Sequence, residues 1–186
     1  MKSNIEKLKF PIGKYKAILE FNFSRTVEDI KTLESFANNL RNSVKGLDKT
    51  DFKKTYRDGG MNIAQIIHHY CDTHTYAFLR TKHTLLEDNP SVKMYEVSEF
   101  LTTPESNVLD VEDSLKVIEG IHAKWVSLLK TLSQDDFNKT YYHSARDKNI
   151  ILHEHVGMYA WHTKHHLVHI GMAKESIKEK GKRSKQ

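Results

Sequence analysis

The sequence predicts an all-α fold, a four-helix bundle with long inter-helix connections, and three observations point there. Four long segments repeat their apolar residues at helical spacing. Two turn signals, Gly59–Gly60 and Asn89–Pro90, bracket the second of them. No internal repeat or low-complexity linker divides the 186 residues, so one bundle with one or more long crossovers accounts for the chain.

The first segment, Val27 to Val44, follows Ser24 and Thr26 as candidate caps and places Ile30, Leu33, Phe36 and Leu40 on one face. The second runs from about Asn62, a suitable N-cap, to Leu86, and stops ahead of Pro90, which disfavours helix at Asn89. The connection Ser91–Thr103 has room for a short helix at Val97–Leu101. The third segment, about Val111 to Leu132, carries the stripe Leu115, Ile118, Ile121, Trp125 and Leu129. Between it and the last segment, Phe137–Leu152 holds Thr140, Tyr141 and Tyr142, residues that favour a short hairpin-like excursion. The fourth helix is expected from about Ile151 to Lys174. Residues 1–173 then form a single domain and 174–186 a basic, polar, frayed tail.

Composition narrows the function classes. The net charge is +5, and +4 of it lies in Lys174–Gln186, so the domain itself is nearly neutral and no nucleic-acid partner is expected. No stretch approaches a membrane span, and MKSNIEKLKFPIGKYK lacks an apolar run of signal-peptide length. A single cysteine, Cys71, excludes an intrachain disulfide. The expectation is a soluble cytoplasmic protein with no membrane partner.

The strongest chemical signal is in the last helix, HEHVGMYAWHTKHHLVHI. At about 100° per residue, His155, His166 and His169 fall within about 40° of His162, together with Ile151 and Met158, and Tyr159 lies beside them at about 60°. His153, Gly157, Lys164 and Gly171 fall on the opposite side. The histidine stripe therefore faces inward. Imidazoles one turn apart can share a metal ion, but a chain with 12 histidines produces such pairs by chance, and hydrogen-bonded core histidines fit the spacing equally. A metal site also needs a third ligand. The second helix offers His68, His69, His74 and His83. His74 falls near the apolar face of Ile63, Ile67, Tyr70, Phe78 and Leu85, and His69 lies on a polar stripe with Gln65, Asp72, Tyr76 and Arg80. Periodicity leaves both open.

PIGKY (Pro11–Tyr15), YRDGG (Tyr56–Gly60), IIHHYCDTH (Ile66–His74), EDNP (Glu87–Pro90) and YAWHTKHHLVHI (Tyr159–Ile170) together resemble the YfiT-like branch of the DinB superfamily, over about residues 10–172. The ordered set carries the resemblance; no single motif does. It implies a four-helix bundle with one divalent metal ion, zinc or nickel, held by His69, His162 and His166. His68, His74, His165 and His169 are then neighbours, with His74 the first substitute. The activity implied is that of a metal-dependent hydrolase or a bacillithiol-transferase-like thiol S-transferase. The expected partners are a small-molecule thiol or hydrolysable substrate and a second copy of the chain in a homodimer. A non-catalytic metal-binding stress or scaffold protein is the competing class. No catalytic acid or base is assigned. Asp72 and Arg80 are candidates to orient a ligand or hold an anionic substrate, against their reading as surface charges. Cys71, roughly 200° round the helix from His69, is expected to point away from the metal as a small core residue. The chain departs from the family at Met61, where relatives often have Trp, and at Tyr70–Cys71 within the usual HHLAD. These changes flank the implied ligands and bear on substrate choice.

Overall fold

A computed structural model describes residues 2–92 and 96–183. In chain order its elements are α1 (Lys2–Lys9), α2 (Phe23–Val44), α3 (Lys49–Phe52), α4 (Ile63–Leu86), β1 (Ser91–Val92), α5 (Val97–Phe100), α6 (Glu112–Leu129), α7 (Gln134–Asn138), β2 (Thr140–His143), β3 (Lys148–Ile151) and α8 (Leu152–Arg183). The four long helices, α2, α4, α6 and α8, form a four-helix bundle.

The pairing of the helices is unusual for a bundle read in chain order. α2 and α6 run antiparallel, joined by Arg41–Glu112 (3.0 Å) at one end and Lys130–Glu34 (2.5 Å) at the other. α4 lies parallel to α6, with His68 Nδ1 2.8 Å from Ser114 near their starts and Trp125 Nε1 donating to Thr81 (3.0 Å) further along. α8 runs parallel to α2, Gly157 lying against Asp29 and Lys174 donating to the Ser43 carbonyl, and antiparallel to α4. The successive helices α2 and α4 thus sit on diagonal corners, each flanked by α6 and α8.

Local chemistry sets most boundaries. Asn62 caps α4 in a capping box with Gln65. α2 begins earlier than Val27: Asn22 is its cap, accepting from the Arg25 amide, and the Thr26 hydroxyl bonds back to the Asn22 carbonyl instead of capping. The excursion before α8 is a true hairpin, with β2 pairing Thr140↔Ile151 through His143↔Lys148 and turning at Asp147 in the left-handed region. β1 adds to β2 in parallel to complete a three-stranded sheet. α8 does not end at Lys174 but continues to Arg183 through a stretch rich in good helix formers; residues 184–186 lie outside the described residues.

Among the described residues the bundle interior holds two large apolar clusters, and a third, small one joins Val92, Tyr141 and Ile150 of the sheet. Of the large pair, one gathers Phe36, Leu40, Ile63, Ile67, Leu115 and Ile118; the other gathers Leu33, Ala77, Trp125, Leu129, Val156 and Ala160. Each fully buried aliphatic or aromatic side chain contributes about 1.5–3 kcal/mol. Between the clusters lies a layer of imidazoles, His69, His74, His122 and His162, flanked by Phe36 and Tyr159.

The outer side of α8 differs from expectation. His153 and Gly157, placed by periodicity on the exposed side, are buried. The segment after α1 straps across them: His153 Nε2 faces the Ile18 carbonyl at 3.1 Å, and the Tyr15 hydroxyl donates to the Glu154 carbonyl at 3.0 Å. A helical wheel registers the apolar face of one helix, not a polar strap folded back from 139 residues away.

Candidate metal centre

Two rigid elements meet at the histidine layer. The capping box fixes the first turn of α4, and His69 follows two turns on. The β3 strand runs straight into α8, so the hairpin register sets which face of α8 turns inward. The Tyr70 hydroxyl donates to the Thr163 carbonyl at 2.6 Å and ties the two helices together at this level.

His69, His162 and His166 converge so that one ring nitrogen from each lies within 4.8 Å of the others. The rings stand edge-on about a common point, with centroids 5.1, 5.0 and 4.7 Å apart and interplanar angles of 66°, 77° and 85°. His69 Nε2 and His162 Nε2 are 3.1 Å apart, and imidazoles bound to a tetrahedral ion at about 2.0–2.1 Å hold their nitrogens at roughly that spacing. His69 and His166 are buried and His162 is partly exposed, which leaves one side of the cluster accessible. The donor set is three imidazoles, and it fits a divalent ion such as zinc or nickel.

Electrostatics favour the ligand form. Burial pushes the His69 imidazole down to about 4, with His165 adding to the effect. Burial likewise carries His162 and His166 well below the ordinary range, reinforced by their histidine neighbours. All three are therefore neutral near pH 7, with a lone pair available for coordination.

The remaining histidines divide by contact. His74 does not join the three rings but stands behind one of them, its Nε2 3.1 Å from His162 Nδ1 and its Nδ1 2.8 Å from His122 Nε2. His169 Nδ1 lies 3.1 Å from His166 Nδ1. His165, His166 and His169 form a second close group, sharing His166 with the first. His165 stacks on Trp161 at 4.4 Å, and buried nitrogens of both, His165 Nδ1 and Trp161 Nε1, have no hydrogen-bond partner among the described residues. His155 belongs elsewhere: it receives the Tyr141 hydroxyl (2.9 Å) and faces the Ala77 carbonyl (3.1 Å), linking sheet to helices. His68 braces α4 against the start of α6 and faces the Val108 carbonyl at 3.1 Å.

Asp72 has His68 and Glu105 as its charged neighbours. Arg80 is not a surface charge but is buried, its guanidinium 5.5 Å from the Tyr76 ring centroid and near Tyr141, His155 and Tyr159. Cys71 packs against the first apolar cluster, and burial pushes its thiol up.

His122 is the residue that sequence reasoning missed. It is buried where the stripe nominated Ile121, which is only half-buried. The available signal was a histidine four residues after Ile118 and three before Trp125, squarely on an apolar face.

Residues 32–170 match the DinB superfamily. A protein of Geobacillus thermodenitrificans named "Putative metal-dependent hydrolase" is 35% identical over 90% of this chain and 94% of its own. A similarly named protein of Oceanobacillus iheyensis is 37% identical over 87% of this chain and 93% of its own. YfiT of Bacillus subtilis, also so named, is 31% identical over 88% of this chain and 92% of its own. The solved structure of YfiT, described as "a probable metal-dependent hydrolase with an unusual four-helix bundle topology", superposes with a TM-score of 0.89 at 29% identity, covering 92% of this chain and 98% of that one.

Proposed function

This chain belongs to the DinB superfamily, and from that premise we propose that it is a metal-dependent enzyme acting on a small molecule, with His69, His162 and His166 holding one divalent ion. The observation that carries this reading is the convergence of three neutral, edge-on imidazoles from two helices on a partly exposed point. Bound there, a divalent ion supplies Lewis acidity that makes a water or a thiol available as a nucleophile near neutral pH.

The chain's own residues do the rest. α4 and α8 fix the ligands on rigid helices, so the site is organised before any substrate arrives. Burial between the apolar clusters keeps the rings of the histidine layer neutral. Trp161 and His165, one turn apart on α8, stack beside the centre with buried polar nitrogens that have no hydrogen-bond partner among the described residues. Burial, reinforced by neighbouring histidines, keeps the three ligand rings neutral. Of the two nucleophiles we favour the thiol, because a thiolate attacks an electrophilic carbon directly, whereas hydrolysis benefits from a positioned acid for the leaving group.

The test is elemental analysis of untagged protein beside His69→Ala and His162→Ala. The expected result is about one equivalent of metal in wild type, lost in both variants. Wild type should then conjugate an electrophilic bimane to a low-molecular-weight thiol, and a chelator should stop it. Conjugation that survives complete metal removal would sink the mechanism, and a wild type that takes up neither zinc nor nickel would sink the centre itself.

A further inference from the structure

We propose that His74, His122 and His169 are positioning residues: two hydrogen-bond relays, each ending on a main-chain carbonyl, hold His162 and His166 in the tautomer that leaves Nε2 free for a metal ion. The inference rests on the centre proposed above and adds to it the groups that orient two of its ligands.

The first relay is read from its far end. His122 Nδ1 lies 2.8 Å from the Leu33 carbonyl oxygen, which can only accept, so His122 carries its proton on Nδ1. A neutral imidazole has one N–H and one lone pair, so His122 Nε2 accepts. Its partner at 2.8 Å, His74 Nδ1, must then donate. His74 Nε2 is left as an acceptor, and at 3.1 Å it receives the proton of His162 Nδ1. The lone pair of His162 is thereby placed on Nε2, the atom 3.1 Å from His69 Nε2. Among the described residues no such relay ends on His69, and in the metal-free protein its Nε2–H can donate to His162, a proton that would move to Nδ1 were His69 Nε2 to bind a metal ion.

The second relay is shorter. His169 Nε2 lies 3.0 Å from the Leu8 carbonyl oxygen and donates to it, so His169 Nδ1 accepts. His166 Nδ1, 3.1 Å away, donates, and its lone pair also falls on Nε2. The acceptor is supplied by the end of α1: Leu8 is in the last turn, where helix carbonyls have no intrahelical partner. Leu33 lies inside α2 and uses the second lone pair of its carbonyl.

Packing holds both relays in place. His74 lies between the rings of Phe36 (5.3 Å) and Tyr159 (5.1 Å), and His169 stacks flat on Tyr56. Partners that fix the tautomer of a ligating histidine typically raise metal affinity about 10–100-fold. The relays also give a role to three of the further imidazoles buried around the centre, His74, His122 and His169.

The experiment has two arms. Long-range proton–nitrogen correlation spectra of metal-free, 15N-labelled protein read each tautomer directly. Expected are Nδ1–H forms for His74, His122, His162 and His166, and an Nε2–H form for His169. Zinc(II) and nickel(II) titrations then compare wild type with His122→Phe, His169→Leu and His169→Gln. The first two should lose about 10–100-fold in affinity. His169→Gln, whose amide can accept from His166 and donate to Leu8, should recover most of the loss. An Nε2–H signal from His162 or His166 in metal-free wild type overturns the relays, as does unchanged affinity in both disrupting variants. A second bound equivalent whose ligands are His165, His166 and His169 overturns the His169 arm, since it needs the His166 Nδ1 lone pair. Should His122→Phe fail to fold, the wild-type spectrum still decides. A wild type that binds no metal but shows the expected tautomers refutes the centre and not the relays; one that binds metal with the wrong tautomers refutes the relays alone.

Discussion

Tyr56 lies flat against His169, their centroids 3.8 Å apart and their planes 15° from parallel. The turn that carries Tyr56 is shaped for this contact, because a Cβ on Gly60 would meet the Tyr56 ring at 2.9–3.0 Å. Gly60→Ala should therefore push the ring off His169. Overpacking of this kind costs about 1–3 kcal/mol, visible as a lowered denaturation midpoint, and zinc affinity should fall with it. A variant with wild-type stability and affinity would show that the stack is incidental.

His155 should separate from the other histidines of its stripe. Its two nitrogens are satisfied by the Tyr141 hydroxyl and the Ala77 carbonyl, and neither faces the three converging rings. His155→Leu leaves the buried Tyr141 hydroxyl without its acceptor, a loss of about 1–3 kcal/mol, while the Ala77 carbonyl keeps the Thr81 hydroxyl. Urea unfolding should register it, while metal stoichiometry per folded molecule stays that of wild type. Loss of metal from a stable His155→Leu protein would contradict the assignment.

The four long helices were legible because each buries an apolar stripe long enough to show its period, and Asn62 because cap chemistry is local. The proposed ligands His69, His162 and His166 were nominated together only through the ordered motifs. The helical wheel puts His74 near the apolar face and His69 on a polar stripe and leaves both open, and the structure shows why it could not decide: both are buried, one facing His162 Nε2 and the other His162 Nδ1. What stayed hidden depends on contacts distant in sequence. The partner of His122 is the Leu33 carbonyl, 89 residues away, and the partner of His169 is the Leu8 carbonyl, 161 residues away. Main-chain acceptors have no side-chain signature, so no pattern could announce them. α1 is short and polar, and nothing in its own residues reveals that its last turn serves α8.

Acid should unfold the metal-free protein. Burial holds His122 at about 4 and His155 at about 3, against about 6.5 in an unfolded chain. Below pH 6.5 the unfolded state therefore binds protons that the folded state refuses, so stability falls as pH drops from about 6.5 toward 4. A depression from 6.5 to about 4 is worth roughly 3 kcal/mol when fully expressed, and two such groups rival the ~5–15 kcal/mol stability of a whole domain. Urea midpoints measured from pH 7.5 to 4 should decline steeply below 6.5. A flat profile across that range would show that these rings titrate freely.

Two glycines of α8 should respond oppositely to the same substitution. Gly171 has nothing within 4 Å of an added Cβ, so Gly171→Ala should gain the helix-propensity difference of about 0.8–1.0 kcal/mol. At Gly157 the same gain competes with the N-terminal strap, because the Cβ would stand 3.1 Å from the Asp29 carboxylate and 3.3 Å from the Tyr15 hydroxyl. Both groups are committed, Asp29 to Arg25 and Tyr15 to the Glu154 carbonyl. Displacing even one hydrogen bond costs about 0.5–1.5 kcal/mol, enough to cancel the gain. Gly157→Ala should thus be neutral to mildly destabilising in thermal melts. Adding Tyr15→Phe, which removes the hydroxyl, should make the glycine substitution more favourable than it is alone. Equal stabilisation at both glycines would mean that the strap does not press on α8 in solution.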